Sequence, residues 1–322
     1  MTDAQSSEQA PIARQRSGQL VPPSGQQHEL RFGDQQATIV EVGGGIRRYS
    51  RSGRDVLNPY PIEDMCDGAH GTPLIPWPNR LADGRYDFDG VTYQVALTEP
   101  EKNNAIHGFL RWRSWNRIDG DDSNVTMGTT IYPMKGYPFT VQIRVRYCLS
   151  VDGLTVTTTA TNIGSEPCPY GAGQHPYLSP GEGTIDRCTL QLDATTRVLT
   201  DDVRQLPVGL ESVAGTPFDF RNPRLLGDLA IDHAFSDLIR DARGRAWVHM
   251  TGSDGATAST WVDEHHPLIQ IYTGDTLGIP RARAGLGTEP MTCPPNALQT
   301  GESVIRLEPG MSVSTTWGAL LQ

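Results

Sequence analysis

The segment FTVQIRVRYCLSVDGLTVTTTATN, residues 139–162, decides the fold class of this chain. From Val141 to Tyr147 apolar and polar residues alternate, so a strand here has one apolar face and one wet face. Asp152 and Gly153 then supply a turn, after which the run LTVTTTAT returns. The segment therefore predicts an antiparallel β-hairpin.

Similar short runs recur along the chain from Glu29 onward, separated by turns that draw on 34 glycines and 24 prolines in 322 residues. No window of about a dozen residues keeps a 3.6-residue apolar period without an interrupting Gly or Pro. Further strands are predicted at TLQLD, RAWVHMTG, ASTWVDE, LIQIYTG, SVIRLEPG and SVSTTWGAL. We expect an all-β fold of some twenty short strands, arranged as one large antiparallel β-sandwich.

The N-terminal stretch differs in composition from the rest of the chain. Residues 1–27 are rich in Gln, Ser and Pro and poor in apolar side chains, so they bury too little surface to offset the entropy of ordering. We therefore predict a disordered tail over residues 1–27 and one β-sandwich domain over residues 28–322. No internal repeat of fixed period is visible, which disfavours a propeller or a solenoid.

Composition and charge exclude several classes of protein. Hydrophobic residues make up 37% of the chain and charged residues 20%, enough to bury a real core. The net charge of −10 disfavours binding to nucleic acid or to anionic membranes. Because the chain has no signal-peptide pattern and no apolar stretch of about 18 residues, we expect neither secretion nor membrane insertion. The five cysteines are scattered and odd in number, which indicates reduced thiols in the cytoplasm.

Polar groups in Gly- and Pro-rich turns between strands are candidates for function, because loops on a rigid sheet often carry binding groups. The segments of this kind are PLIPWPNRLADGRYDFDG, NNAIHGFLRWRSW, YGAGQHPYLSPG and GLGTEPMTCPPNAL, and LAIDHAFSDL is a further candidate. Their acids, bases and hydrogen-bonding groups are Asn79, Arg80, His107, His175, Glu289 and Asp232.

Each candidate also has a purely structural explanation. A histidine between strands often bonds a backbone carbonyl. Arg80 can pair with Asp83 or Asp87 in a turn. Asp232 can cap a helix or turn, and Glu289 can be a solvated loop carboxylate. Structural roles are also assigned to five further histidines, His28, His70, His249, His265 and His266.

Metal, nucleophile and nucleotide chemistry find less support. His265 and His266 lie beside Asp263 and Glu264, but adjacent strand residues point to opposite faces, so we expect no shared metal ion. The chain has no GxSxG elbow, no P-loop and no GxGxxG after a strand. The glycines at 43–45 lie between apparent strands with no following helix. Covalent serine chemistry and nucleotide binding are therefore disfavoured.

The motifs PNRLADGRYDFDG, AIHGFLRWRSW, GQHPYL, DHAF, LIQIYTG and TEPMTCPPNA, in this order, resemble the aldose 1-epimerase (galactose mutarotase) family. The resemblance runs from about Glu29 to the C-terminus. It implies a large antiparallel β-sandwich of galactose mutarotase type, with an open cleft across one sheet and no requirement for a metal or organic cofactor. The implied reaction interconverts the α and β anomers of a small-molecule sugar such as galactose or glucose.

The resemblance also implies a role for each matching residue. Glu289 matches the family's general base, His175 its general acid, and His107 a second active-site histidine that holds the sugar. The residues that match hydrogen-bond partners of the sugar hydroxyls are Asn79, Arg80, Asp232 and Gln270. A base and an acid are needed because one proton leaves the C1 hydroxyl while another reaches the ring oxygen.

The aromatic residues near these motifs have two explanations. Trp77, Trp112 or Trp115 can offer an apolar face to a sugar ring, although we expect core packing for at least two of them.

Departures from the family pattern leave the identity of the sugar open. His175 is followed by Pro176, and the segment EPMTCPPNAL differs from the best-known galactose mutarotases. The stretch HGFLR also resembles hexose-6-phosphate epimerase relatives, in which basic residues bind a phosphate. The arginines that can do so here, or that simply lie on the wet faces of strands, are Arg47, Arg48, Arg111 and Arg113.

Three functions are therefore compatible with the sequence. They are a 1-epimerase of a free hexose, a 1-epimerase of a phosphorylated or modified sugar, and a carbohydrate-binding module without turnover. The presence of both Glu289 and His175 favours an enzyme, because binding alone does not demand an acid and a base at one carbon. The sequence does not indicate an oligomeric state.

Overall fold

The computed structural model describes residues 21–322, and these residues form two large antiparallel sheets. The first sheet has 12 strands and the second sheet has 9, while three further pairs of strands lie outside them. Helical structure in the described residues is confined to α1, Ala297–Thr300, and two 3-10 turns, Pro100–Lys102 and Ile185–Arg187. The prediction of an all-β antiparallel sandwich is confirmed.

The strands are numbered in chain order. The first fourteen are β1 Gln27–Phe32, β2 Gln35–Val40, β3 Ile46–Arg51, β4 Arg54–Leu57, β5 Pro73–Leu74, β6 Arg80–Ala82, β7 Arg85–Phe88, β8 Val91–Gln94, β9 Asn104–Ile106, β10 Asn116–Gly120, β11 Asn124–Ile131, β12 Val141–Ser150, β13 Gly153–Asn162 and β14 Cys168–Tyr170. The remainder are β15 Gly173–Gln174, β16 Tyr177–Leu178, β17 Thr189–Leu192, β18 Ala194–Thr200, β19 Pro207–Ser212, β20 Arg224–Leu225, β21 Asp232–Leu238, β22 Ala246–Thr251, β23 Thr257–Val262, β24 Leu268–Tyr272, β25 Leu286–Met291, β26 Ile305–Leu307 and β27 Ser312–Leu321.

The order of strands in the first sheet brings distant segments together. Its path is β1-β2-β3-β4-β16-β25-β24-β21-β18-β19, and β15 bridges β25 and β5. The second sheet runs β10-β11-β12-β13-β27-β23-β22-β17-β20, and the separate pairs are β14-β26, β6-β9 and β7-β8. The motifs that the sequence singles out after residue 170 therefore meet in the middle of the first sheet, on β16, β25, β24 and β21.

The hairpin predicted at residues 139–162 forms as β12 and β13, which pair antiparallel from Val141 opposite Asn162 to Ser150 opposite Gly153. Its alternating apolar residues at 141, 143, 145 and 147 are fully buried, each at 0% exposure. They belong to one core cluster that also contains residues of the first sheet, such as Ile271. Burial of this face at about 25 cal/mol per Å² of apolar surface is the main force that holds the two sheets together.

The domain begins earlier than predicted. The N–H of Val42 donates to the carbonyl of Ser24 at 2.9 Å, the N–H of Glu41 donates to the carbonyl of Gln26 at 3.0 Å, and β1 starts at Gln27. Ser24, Gln26 and Gln27, which the sequence assigns to a disordered tail, are therefore bonded to β2 or to the turn after it. The rest of the predicted tail, residues 1–20, lies outside the described residues.

All five cysteines are free thiols, and four of them are buried. Among residues 21–322, no helix is long and apolar enough to cross a membrane.

A buried set of polar groups joins the two sheets. Gln174 on β15 accepts a hydrogen bond from Trp317 Nε1 at 3.1 Å, and its own Nε2 donates to Tyr147 Oη at 3.3 Å. Tyr147 Oη in turn donates to the carbonyl of Gly44 at 2.6 Å. Because Trp317 and Tyr147 belong to the second sheet and Gln174 to the first, these bonds set how the two sheets lie against each other.

We expect the substitution Gln174→Leu to destabilise the protein by about 1–3 kcal/mol, because Trp317 Nε1 then stays buried without an acceptor. The matched control is Gln36→Leu on β2, where the side chain is exposed and the expected change is within about 0.5 kcal/mol. Urea unfolding of the two variants measures both values. Equal free energies of unfolding for Gln174→Leu and the unsubstituted protein would contradict the proposed role of Gln174.

Candidate functional site

A cavity of about 380 Å³ lies over the middle of the first sheet. Six of the seven predicted site residues line it: Asn79, Arg80, His107, His175, Asp232 and Glu289. The seventh, Gln270, is buried, and its Nε2 donates to Asp232 Oδ1 at 2.6 Å. The structure therefore brings all seven residues into one site.

Neighbouring strands of the first sheet position four of these residues. His175 lies between β15 and β16, and because strand side chains alternate, it lies on the cavity side while Gln174 lies in the core. Glu289 on β25 is directly opposite Gln270 on β24. Asp232 begins β21, the next strand along the sheet. Glu289 and Gln270 thus lie in one row across rigid strands, and Asp232 lies diagonal to Gln270, because Ala234 is the residue of β21 opposite Gln270.

Two turns with unusual backbone hold Asn79 and His107 against each other. Both residues have left-handed backbone, with φ of 56° and 62°. The N–H of His107 donates to the carbonyl of Asn79 at 3.0 Å, and the N–H of Asn79 donates to His107 Nδ1 at 3.1 Å. Since Nδ1 accepts a bond, Nε2 carries the ring proton in neutral His107.

The residue after His107 has to be glycine. Gly108 has a φ of 65°, and a Cβ there would lie 1.9 Å from the carbonyl oxygen of Ile75. Any side chain would therefore push the turn away from Ile75 and displace His107.

The candidate acid and base are in direct contact. His175 Nε2 lies 3.1 Å from Glu289 Oε1, and the two residues are only 4% and 2% exposed. Burial raises the pKa of Glu289 well above its ordinary value. Burial, together with the nearby His70, lowers the pKa of His175 to about 3. The favoured state of the pair has one proton, held on the carboxyl group and donated to the neutral imidazole.

Aromatic packing fixes the plane of the His175 ring. The ring stacks on Tyr177 with centroids 4.8 Å apart, and Tyr177 stacks on His70 at 4.6 Å. His107 meets the same imidazole edge-on at 5.6 Å. Tyr177 was not predicted as a site residue, although its position two residues after His175 places it on the same face of the strand and is a signal for it.

Arg80 is held by a carboxylate that the sequence did not identify. Its Nε and Nη2 donate to the two carboxylate oxygens of Glu99 at 2.9 and 3.1 Å, and its Nη1 lies 3.8 Å from Asp232. The expected structural partners, Asp83 and Asp87, are not its partners. Glu99 also accepts from Lys102 Nζ at 3.1 Å. Glu99 lies just before the 3-10 turn Pro100–Lys102, and no sequence pattern there identifies it as a partner of Arg80.

The other structural explanations are wrong for two candidates. Glu289 lies within a buried strand and is not a solvated loop carboxylate. Asp232 begins a strand and accepts hydrogen bonds from Gln270 and, at 3.0 Å, from Gln205 Nε2, so it does not serve as a helix cap.

One set of side chains among residues 21–322 has the geometry to hold a metal ion. Ligand atoms of His107, His175 and Glu289 all lie within 4.8 Å of one another. His265 and His266 instead approach Asp263, at 3.5 and 2.7 Å.

The tryptophans lie away from the cavity lining. Trp77 and Trp115 are core residues at 2% and 1% exposure, whereas Trp112 is 57% exposed. The aromatic rings that line the cavity are those of Tyr177 and Tyr272.

The four arginines considered as anion ligands have different surroundings. Arg47 Nε donates to the side chain of Gln27, and Arg48 forms an ion pair with Asp55 at 2.7 Å. Arg113 is exposed and lies outside the cavity. Arg111 is the one of the four that lines the cavity.

Comparisons with known proteins agree with this architecture. Residues 26–317 match the family model described as aldose 1-epimerase. YihR of Escherichia coli K12, an uncharacterized protein, is 34% identical over 288 residues, which cover 89% of this chain and 90% of YihR. The aldose 1-epimerase of the same organism is 29% identical over 240 residues, 68% of this chain and 66% of that protein.

Solved structures show the same fold. The GalM/aldose epimerase homologue of C. elegans aligns with a TM-score of 0.81 at 18% identity, covering 92% of this chain and 99% of that chain. The predicted galactose mutarotase type of sandwich is therefore confirmed.

The site makes the stability of the protein dependent on pH. Burial lowers the pKa of His70 to about 4, of His175 to about 3 and of His107 well below its ordinary 6.5. Below about pH 6.5 the unfolded chain binds protons at these histidines and the folded chain does not, so acid favours unfolding. Glu289 has the opposite effect on stability and offsets the contribution of about one histidine. Its raised pKa lets the folded chain keep a proton that the unfolded chain loses.

We therefore expect the free energy of unfolding to fall by about 2–4 kcal/mol from pH 7 to pH 5, as measured by urea unfolding at each pH. In His70→Gln the difference between the two pH values should shrink, whereas the exposed control His265→Gln should keep it. An unfolding free energy that is the same at both pH values would contradict this account.

Proposed function

This chain belongs to the aldose 1-epimerase family, and we propose that it interconverts the α and β anomers of a hexose by ring opening and reclosure. The observation that carries the proposal is the 3.1 Å contact between His175 Nε2 and Glu289 Oε1 inside the cavity. Ring opening needs an acid and a base at one carbon, and two proton-transfer groups held in contact supply both. Anomer exchange transfers protons and breaks and re-forms the C1–O5 bond without net oxidation or reduction, so the proposed reaction needs no redox cofactor.

The pair returns to its starting state in each turnover. With Glu289 as carboxylate and His175 as imidazolium, Glu289 removes the proton of the C1 hydroxyl while His175 protonates the ring oxygen, and the C1–O5 bond breaks. The pair is then left as carboxylic acid and neutral imidazole, the state that burial favours. After rotation about the C1–C2 bond the ring closes on the other face, with the two roles reversed.

The remaining groups of the site orient the sugar. Arg80 and Asp232 make charge-assisted hydrogen bonds to hydroxyls, and the fixed ion pair of Arg80 with Glu99 keeps the guanidinium in place. His107 donates from Nε2, since its Nδ1 accepts the N–H of Asn79. Each of these groups is held before the substrate arrives, which lowers the cost of reaching the reactive geometry.

A carbohydrate-binding module without turnover is disfavoured by the same contact. A buried carboxyl group and imidazole cost free energy to desolvate, and hydroxyl recognition alone does not require them to touch.

We expect Glu289→Gln to slow mutarotation by about 10²–10⁴-fold, because the amide keeps the size of the side chain but cannot take the C1 proton. Polarimetry of freshly dissolved α-D-glucose and α-D-galactose measures the rate above that of buffer alone. The matched control, Glu182→Gln, replaces an exposed glutamate and should leave the rate unchanged. Normal turnover by Glu289→Gln would show that Glu289 is not the base.

The pH dependence of kcat/KM tests whether Glu289 and His175 share one proton in the active state. The pair is active with one proton, so activity falls where it gains a second or loses the first. Because burial lowers the pKa of His175 to about 3, we expect kcat/KM to stay nearly constant from pH 7 down to about pH 5. A loss of activity centred on 6.5, the ordinary histidine pKa, would contradict the proposed state of the pair.

A further inference from the structure

Arg111 is a positively charged residue that lines the cavity and has few hydrogen-bond partners. It follows β9 in the segment HGFLR and lines the same cavity as His175 and Glu289. The hydrogen bond of its guanidinium runs from Nη2 to the carbonyl of Ile106 at 3.3 Å. Within residues 21–322, none of the ion pairs includes Arg111. Most of its N–H groups are therefore open to a ligand.

The other cations of the cavity are already matched with carboxylates. Arg80 is held by both oxygens of Glu99, with Asp232 3.8 Å away. Lys102 Nζ donates to Glu99 at 3.1 Å. A bound sugar therefore meets these two cations already in ion pairs, whereas Arg111 has no ion-pair partner within residues 21–322.

The surroundings of Arg111 compensate that charge only in part, through the carboxylate of Glu99, whose ion pairs are with Arg80 and Lys102. Burial lowers the pKa of the guanidinium, which means that its charged form is poorly solvated. The neighbouring thiol of Cys66 stays neutral, because burial raises its pKa to about 12. The ring of Trp112, 4.5 Å below the guanidinium, contributes a cation–π contact. A desolvated cation held between an aromatic ring and an open cavity favours an anionic ligand.

We propose that Arg111 binds a singly charged oxyanion on the sugar, so that the preferred substrates are anionic hexoses such as hexuronic acids. The inference rests on the proposed function and names its substrate class. A lone guanidinium offers two parallel N–H bonds that match the two oxygens of a carboxylate. The substrate that we propose has C1 at Glu289 and His175 and its anionic substituent beside Arg111, which lines the same cavity.

The test compares anomer exchange of glucuronate, glucose and glucose 6-phosphate, followed by NMR exchange spectroscopy. We expect the unsubstituted protein to have its highest kcat/KM with glucuronate. Arg111→Gln should lower kcat/KM for glucuronate by about 10- to 100-fold and change that for glucose by less than about threefold. Arg111→Lys keeps the charge and should retain part of the preference, whereas the exposed control Arg113→Gln should retain all of it.

The outcomes separate this inference from the function on which it rests. Exchange of glucose without any preference for glucuronate or glucose 6-phosphate overturns the anion site and leaves the epimerase standing. An equal loss for glucose and glucuronate in Arg111→Gln gives Arg111 a structural role and also overturns it. A preference for glucose 6-phosphate that Arg111→Gln removes supports an anion site but overturns the singly charged ligand. Absence of exchange with every sugar overturns both proposals.

Discussion

The hydrogen bonds of Gln174 with Trp317 and Tyr147 couple the packing of the two sheets to the position of the candidate acid, His175. Apolar contacts tolerate small shifts between two sheets, whereas a buried hydrogen bond holds only within a narrow range of distance and angle. Gln174 immediately precedes His175, so the bond that fixes the sheets also fixes the backbone that carries the candidate acid. Pairing of β25 with β24 then places Glu289 and Gln270 in the same row.

Electrostatics in the cleft follow from the exclusion of water. Glu289 and His175 are too buried for either to be charged without the other, so they behave as one unit that holds one proton. Arg80 is kept charged by Glu99, which is supplied from a different turn. In the proposed mechanism the cleft therefore separates two tasks, proton transfer by a pair of zero net charge and orientation of the sugar by fixed ions.

The fold was largely predictable because its signals are local. The alternation from Val141 to Tyr147 is a property of consecutive residues, and it specified β12 and its buried face. The family resemblance carried by the short motifs, and not a local pattern, implied that His175 and Glu289 belong to one site. Composition could not reveal that Ser24, Gln26 and Gln27 are bound, because their bonds depend on the distant strand β2 and the turn after it.

The rest of the site depends on contacts between segments far apart in sequence. Glu99 reaches Arg80 across a turn, and no spacing rule links the two positions. The cross-sheet role of Gln174 follows from how two sheets are stacked, which a single strand pattern does not specify. The lack of an ion-pair partner for Arg111 within residues 21–322 is the hardest of these features to predict, since it emerges only after every acid in that range has been placed.

The placement of Arg111 on a loop, away from the strands that carry Glu289, has an evolutionary consequence. Substitutions in the segment after His107 can alter the charge or size of the cleft beside Arg111 without moving the central strands. Gly108 limits the movement of that segment, because its backbone packs against Ile75. Under the proposed function, an exchange of a few loop side chains can therefore change which sugar the cleft accepts and leave the proposed proton-transfer pair unchanged.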